Sequence, residues 1–248
     1  MPLFSLIIGL GASLALLRLA LFVEGESRVR WLLEGLAVLA GALVGARGAF
    51  VLAHLPYYST RNAEVFSPSA GGWWWPGAAA GALLVAILFG ALLEHKILVA
   101  LDRFTVMILP LVLSFWLASW SAGVAYGARL DPSIWWGMPM LDDMGVTAPR
   151  LPLQPAAALT ILLLFVILEW GWRRPAIAGR RAAVLLLALS IHTLLFTFMR
   201  ADALQKWLGL RLDVWASFAL ILVGAGLLLG TFAVKSKKSL IRVKEGNA

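Results

Sequence analysis

Residues 45–81 read GARGAFVLAHLPYYSTRNAEVFSPSAGGWWWPGAAAG, and this stretch decides the fold. It begins in an apolar segment that carries Arg47, passes through a polar loop, and enters a second apolar segment after three tryptophans. An arginine at the centre of a membrane span costs about 2.5–3.5 kcal/mol on insertion scales, so it needs a partner, and an anionic one is usual. Tryptophans gather where a membrane meets water. The stretch therefore predicts two membrane-spanning helices joined by a loop at one membrane surface.

The composition of the whole chain is that of a membrane protein. Of its 248 residues, 61% are hydrophobic and 14% are charged, whereas soluble domains have about 45–50% apolar and about 25% charged residues. The chain has no cysteine, which excludes disulfides, thiol catalysis and cysteine-bound metals. A net charge of +8 is compatible with nucleic-acid binding. Because the basic residues flank apolar segments, we expect anionic lipid as their partner and no nucleic acid.

Seven apolar segments are long enough to cross a bilayer, which takes about 20 residues. Their predicted bounds are roughly 3–23, 32–53, 77–93, 105–125, 156–172, 182–199 and 214–234. Such unbroken runs exclude a spanning barrel, whose strands alternate over about ten residues. The predicted fold is an all-α polytopic membrane protein of about seven transmembrane helices with a small extracytoplasmic head. The first segment has no basic region before it, so we interpret it as a span and not as a cleaved signal peptide.

The distribution of basic residues orients these spans. The loops on one side hold Arg28, Arg30, Lys96, Arg103, Arg173, Arg174, Arg180, Arg181, Lys235, Lys237, Lys238, Arg242 and Lys244. The loops on the other side hold only Arg61, Arg129, Arg150, Arg200, Lys206 and Arg211. The positive-inside rule then places the N-terminus outside and the C-terminus in the cytoplasm.

We predict a single transmembrane domain over residues 1–235 and a basic cytoplasmic tail over residues 236–248. Within the domain, the head covers about residues 128–155. We expect the head to be compact because Trp135, Trp136 and Met138 give it apolar surface to bury. Asp142 and Asp143 are interpreted as a solvated turn, because adjacent residues point in different directions and make a poor metal or acid–base pair.

Small residues predict close contacts between helices. Gly41, Gly45 and Gly48 lie on one face of the second span, and Gly77 and Gly81 form a small-xxx-small pair in the third. Small side chains on one face let a neighbouring backbone approach.

Histidines are few and scattered through the chain. We therefore expect no metal site, and no cofactor is indicated. His192 lies inside the sixth span, where a hydrogen bond between helices is its simplest explanation.

The order of several motifs resembles the bacterial prolipoprotein diacylglyceryl transferase family. The motifs are GARxxxVLxHxxYY, GGxxxxGxxxG, a span ending in YG, a P-x-Q, and a late R-x-D…GLR…W. The resemblance covers about residues 1–235. It implies transfer of a diacylglyceryl group from phosphatidylglycerol to the cysteine of a lipoprotein signal peptide, at the outer face of the bacterial cytoplasmic (inner) membrane. It also implies phosphatidylglycerol as a partner, with lipoprotein signal peptides or another membrane subunit as further candidates.

Most polar positions of the family's motifs carry apolar or small residues in this chain. Pro76 replaces the histidine of HGG. In GRIGNFxNGExxG, Trp116 replaces the arginine, Ser119 the first asparagine and Val124 the glutamate. In the late YxxxRxxxE, Leu189, Thr193 and Thr197 replace the tyrosine, arginine and glutamate. The retained residues include Arg47, Arg200, Asp202, Tyr126 and, from HPxQLYE, Pro152 and Gln154. The sequence thus identifies no catalytic residue.

The candidates for binding lipid or phosphate are Arg47, Tyr58, Tyr126, Gln154, Arg200 and Asp202. For Arg47, two interpretations stay open: its side chain reaches up to the headgroup plane with no further role, or its guanidinium binds phosphate.

Three functions compete at this point. The exchanged polar residues favour a catalytically silent lipid-binding or assembly protein of this fold. The second is an active transferase with an altered site, in which Arg47 and Arg200 hold the phosphate and Tyr58 or Tyr126 moves protons. The third is a small-solute transporter, although no repeat of transporter type is evident in the chain.

Overall fold

The computed structural model describes residues 2–23, 25, 27–67, 71–92, 96–142, 144–172 and 177–245, with only the backbone of Pro2 and of residues 233–245. The predictions for Asp143, for Arg173 and Arg174 and for the side chains of the basic tail lie outside this description. The helices are α1 (Pro2–Phe22), α2 (Arg28–Ala53), α3 (Leu55–Tyr58), α4 (Asn62–Val65), α5 (Trp75–Leu92), α6 (Ile97–Phe104), α7 (Ile108–Ala122), α8 (Leu153–Gly171), α9 (Arg180–Met199) and α10 (Leu212–Glu245). Four short strands form two hairpins: β1 (Met138–Leu141) with β2 (Thr147–Arg150), and β3 (Lys206–Trp207) with β4 (Leu210–Arg211).

Seven helical segments of the described chain are long and apolar enough to cross a membrane, which confirms the predicted count. They are Leu3–Phe22, Arg28–Ala53, Trp75–Leu92, Ile97–Ala122, Leu153–Gly171, Arg180–Met199 and Leu212–Phe232. An all-helical solution is expected, because a helix satisfies its own backbone groups where no water is present.

Two helix boundaries differ from the prediction. The fourth span begins at Ile97, not near residue 105, because α6 continues through a short 3-10 turn at Thr105–Met107 into α7. One face of α6 is apolar and buries Leu101 and Phe104. The charged residues of its other face led to the prediction of a loop in place of this helix. At the other end of the chain, α10 continues to Glu245, past the predicted end of the seventh span near residue 234.

The chain divides into two compact units, and each is described by itself. The first consists of Met1–Ala15 with Thr105–Ala248, and the second of Leu16–Phe104.

In the second unit, glycines set the packing of α2 against α5. A Cβ built on Gly45 would lie 2.2 Å from the Gly77 carbonyl oxygen, and one on Gly81 would lie 2.1 Å from the Gly41 carbonyl oxygen. The two backbones therefore touch, as the small-residue pattern predicted. Gly48 is the exception, since its Cβ would meet nothing within 4 Å.

In the first unit, α7 packs on α8 and α9 on α10. Trp116, Ile161 and Phe165 are central to its apolar core. His192 Nε2 lies 2.9 Å from Thr160 Oγ1, so it links α9 to α8, and the predicted hydrogen bond between helices is confirmed.

The head is built on the antiparallel β1–β2 hairpin. Met140 and Ala148 are paired across it and are buried. The prediction that Trp135 and Trp136 fill the head is wrong, because they are 91% and 42% exposed. Alternate residues of a strand share one face, so a two-stranded hairpin has little surface with which to cover two indole rings.

Candidate functional site

The six candidate residues fall in both units. Arg47 and Tyr58 belong to the second unit, and Tyr126, Gln154, Arg200 and Asp202 belong to the first.

Arg47 holds together the loop between α2 and α5 in the second unit. Its guanidinium donates to four backbone carbonyls: Val65 at 2.9 Å, Gly72 at 3.3 Å, and those of Glu64 and Gly71. Carbonyls in a loop lack the partners that a regular helix supplies. A guanidinium has five N–H donors, so these contacts engage most of them. This geometry explains how the arginine is satisfied at the end of a span, and it favours loop ordering over phosphate binding.

Tyr58 supports that arrangement. The side chain is 6% exposed, and the Arg47 guanidinium carbon lies 5.3 Å from the centroid of its ring. The ring also meets Phe50 and Tyr57 edge-on. Tyr58 thus serves as a packing surface for the arginine.

Replacing Arg47 by lysine should open this loop. A lysine carries three donors on one nitrogen and cannot reach four dispersed carbonyls. We expect amide hydrogen exchange in Asn62–Val65 to accelerate by about tenfold or more, because each lost bond is worth about 1 kcal/mol. Arg61→Lys is the matched control, since Arg61 is exposed and lies over the Tyr57 ring at 4.3 Å. Equal protection in both variants would contradict the assigned role of Arg47.

Tyr126 is buried at the base of the head. Its carbonyl accepts from the Ala201 amide at 2.9 Å, and the Arg150 guanidinium carbon lies 4.4 Å from its ring centroid. Arg150 is itself 6% exposed. The tyrosine ring therefore faces a buried cation of this chain.

Arg150 is neutralised by Asp142, with 2.7 Å between Nη2 and Oδ2. Amides of Val146 and Met144 also donate to Asp142, and with Arg150 they hold the pKa of that carboxyl below its usual value although partial burial opposes this. The predicted turn is present at Asp142, because the Gly145 amide donates to its carbonyl at 3.0 Å, but the prediction that its side chain is solvated is wrong, since that side chain is paired and only 16% exposed. A nearby cation selects the buried orientation of this carboxylate.

Gln154 is fully buried at the start of α8. Its Nε2 donates to the Val124 carbonyl at 2.9 Å. This hydrogen bond ties α8 to the turn that follows α7.

Four charged side chains form a network between the end of α9 and the start of α10. Arg200 forms a bidentate pair with Asp202, in which Nε donates to Oδ1 at 2.8 Å and Nη2 donates to Oδ2. Its Nη1 lies 3.1 Å from Asp213 Oδ2. Arg211 donates to the Asp202 carbonyl at 2.6 Å and approaches the carboxylates of Asp202 and Asp213 at 3.5 and 3.6 Å. Asp213 is 1% exposed and the other three side chains 11–13%. Two arginines and two aspartates thus neutralise one another away from solvent.

The network sets the charge states of Arg200 and Asp202. Burial lowers the pKa of Arg200, but hydrogen bonding to Asp202 and the charges of Asp202 and Asp213 outweigh it, so the pKa is raised. Burial raises the pKa of Asp202, but Arg200 and Arg211 outweigh it, so the pKa is lowered. The stabilisation from Asp202 is therefore present above the ordinary carboxyl pKa and is lost only as pH falls through the lowered value.

An open hollow of about 520 Å³ lies against this network. Its polar lining includes Arg200, Asp202, Arg211 and Lys206, and its apolar lining includes Phe198. Sequence reasoning found Arg200 and Asp202 but missed Arg211, Asp213 and Lys206. A signal was present, since Arg200-Ala201-Asp202 recurs as Arg211-Leu212-Asp213.

The described chain has seven apolar helical segments and a buried charge network where the sixth of them ends and the seventh begins, which defines a polytopic membrane protein with a polar site at the junction of its last two spans. Comparison with known proteins identifies the family. The model of the prolipoprotein diacylglyceryl transferase family matches residues 2–230, and the chain belongs to that family.

Three relatives carry the name phosphatidylglycerol–prolipoprotein diacylglyceryl transferase. That of Bordetella parapertussis is 31% identical over 202 residues, which cover 77% of this chain and 74% of the relative. That of Bordetella bronchiseptica is 30% identical over the same length and with the same coverage. That of Methylibium petroleiphilum is 26% identical over 197 residues, or 78% of this chain and 74% of the relative.

Proposed function

We propose that this protein is a catalytically silent member of its family that binds anionic phospholipid, with phosphatidylglycerol as the first candidate. One observation carries the silent state: the guanidinium groups of Arg47 and Arg200 are engaged by groups of the chain itself and not left open for a phosphate. Arg47 donates to loop carbonyls, and Arg200 is held by two carboxylates.

The chemistry of diacylglyceryl transfer requires cations that are free to bind a phosphate. Displacement at a glyceryl carbon releases a phosphate, which needs cations or hydrogen-bond donors for its developing charge, and the attacking thiol needs a base. The resemblance places an arginine at Trp116 and at Thr193, and a histidine at Pro76. Loss of such groups removes several kcal/mol of transition-state stabilisation. Trp116 instead packs against Phe196 in the apolar core, with 5.7 Å between their ring centroids.

The proposal includes the location of the protein. We place it in the bacterial cytoplasmic membrane with the N-terminus outside and the C-terminus inside, following the basic residues of the loops. The Arg200 network then faces the outer leaflet, beside the lipid that the relatives' name specifies. A lipoprotein signal peptide or a second membrane subunit is the partner that we would seek first. Family membership favours these lipid-related functions over solute transport.

Complementation of a transferase-deficient strain tests the silent state. We expect no lipidation of a lipoprotein precursor when this chain is expressed, because the groups for phosphate and thiol are replaced. The relative from Bordetella bronchiseptica, expressed to the same level in the same membrane, is the positive control.

Robust lipidation by this chain would overturn the silent state and favour the altered-site enzyme. In that event, Arg47→Ala and Arg200→Ala should each abolish lipidation if these arginines hold the phosphate. The alternative candidates for moving protons, Tyr58 and Tyr126, would then be tested as phenylalanine variants.

A further inference from the structure

The hollow beside the Arg200 network contains one cation that the protein does not neutralise. Arg200 and Arg211 are matched by Asp202 and Asp213, so these four groups sum to zero charge. Lys206 lines the same hollow and is exposed. Within the described part of the chain, its ammonium forms no ion pair. The hollow therefore carries one excess positive charge.

The β3–β4 hairpin fixes the position of that charge. Lys206 lies directly opposite Arg211 in the register. Residues at opposed strand positions share one face of a hairpin, so this register places Lys206 beside the charge network.

Two features hold the hairpin in shape. Its turn residues Leu208 and Gly209 both have positive φ, at 49° and 79°, which is typical of a tight two-residue turn. The Trp215 indole N–H donates to the Trp207 carbonyl at 3.0 Å. Lys206 is thus presented from a well-defined strand and not from a loose loop.

Most of the remaining lining of the hollow is apolar. Phe198, Leu204, Leu210 and Val214 line it together with the charged groups, and Phe198 is 60% exposed. In the hairpin itself, Trp207 of β3 and Leu208 of the turn are 57% and 72% exposed, and exposed tryptophan is typical of the membrane–water boundary. Cations beside apolar surface suit a ligand with a charged group and a hydrocarbon body.

We infer that this hollow binds the phosphodiester of one outer-leaflet lipid whose headgroup has no compensating cation, with Lys206 as the cation that contacts the phosphate. Such a headgroup carries a single net negative charge, which matches the single excess cation. This inference rests on the lipid-binding part of the proposed function and adds the site and the contacting residue.

Lipid retention by the purified full-length chain tests the site. The protein is equilibrated with equal amounts of phosphatidylglycerol and phosphatidylcholine in mixed micelles, and the retained lipids are counted by mass spectrometry. We expect enrichment of phosphatidylglycerol for the wild type and a loss of that enrichment by about two- to fivefold in Lys206→Gln, which is the range for one exposed ion pair. Lys206→Arg should keep it. High salt should weaken it.

Arg129→Gln is the matched control, because Arg129 is another exposed cation in the same unit that does not line the hollow. Its enrichment should equal that of the wild type. If Arg129→Gln loses as much enrichment as Lys206→Gln, general surface charge is responsible and the assigned site is wrong.

The other outcomes separate the two proposals. Enrichment that survives Lys206→Gln overturns the site but leaves lipid binding by the protein intact. An absence of enrichment in the wild type overturns the site together with the lipid-binding part of the proposed function. Competition by inorganic phosphate or glycerol phosphate at the concentration of the lipid would identify a soluble phosphate as the ligand and overturn the lipid assignment. None of these readouts depends on transferase activity.

Discussion

Replacing Asp213 with asparagine should lower the stability of the protein by about 3–5 kcal/mol, the cost of breaking a buried ion pair from one side. Asp213 is 1% exposed and faces both Arg200 at 3.1 Å and Arg211 at 3.6 Å. The asparagine has nearly the same volume but no charge, so two buried guanidinium groups would share one carboxylate. In thermal unfolding in detergent, we expect a decrease in the melting temperature on the order of 10 °C.

Two further variants separate charge from packing. Asp131→Asn makes the same chemical change at an exposed carboxylate that binds only Ser133 among the described residues, and it should shift stability by less than about 0.5 kcal/mol. The double variant Asp213→Asn/Arg211→Gln removes the excess cation and should recover part of the loss. If Asp213→Asn melts within about 1 °C of the wild type, the network does not hold the end of α9 and the start of α10 together.

The number of spans could be predicted because the bilayer imposes a simple rule. Each crossing segment must be apolar over its length and must satisfy its backbone internally, and both conditions can be recognised in a linear sequence. The contact of Gly45 with Gly77 was predictable for a related reason, since regularly spaced small residues mark a close approach of helices.

The role of Arg47 could not be predicted in the same way. The sequence shows that an arginine in a span is costly, but it does not show which acceptors meet it. The acceptors are carbonyls between Glu64 and Gly72, which lie 17 to 25 residues away. Every loop residue has a carbonyl, so no side-chain pattern identifies these particular ones. An anionic ligand was the expected partner of the Arg47 guanidinium, whereas in the structure its partners are backbone carbonyl groups.

The polar head was the least predictable part. Burial of Trp135 was expected from its hydrophobicity, but the hairpin register selects Met140 and Ala148 for the inner face. The environment of Asp142 depends on Arg150, which is eight residues away along the chain and is paired with Met138 in the hairpin, so that only its side chain reaches Asp142. The two R-x-D triplets at Arg200 and Arg211 were visible in the sequence. Their meaning becomes clear only when the β3–β4 hairpin brings them together.

The backbone contact between α2 and α5 predicts that a glycine-to-alanine substitution changes stability in opposite directions at two positions of α2. Alanine is preferred over glycine in a helix by about 1 kcal/mol, so Gly48→Ala should be neutral or stabilising, because nothing lies within 4 Å of the added Cβ. Gly45→Ala should instead destabilise, because the same atom would lie 2.2 Å from the Gly77 carbonyl oxygen. Overpacking of this kind costs about 1–3 kcal/mol, occasionally more.

The loss of stability in Gly45→Ala should be large because of the atoms that Gly45 contacts. A flexible side chain could turn away from a new methyl group, but here the nearest atoms are the carbonyl of Gly77 and the Cα of Gly81, so two helix backbones must separate. Unfolding in a titration with a denaturing detergent, read by the circular dichroism of the helices, compares both variants with the wild type. A Gly45→Ala protein as stable as Gly48→Ala would mean that α2 and α5 do not touch through their backbones. A protein destabilised only at Gly45 would place the contact where residues 45–81 first indicated it.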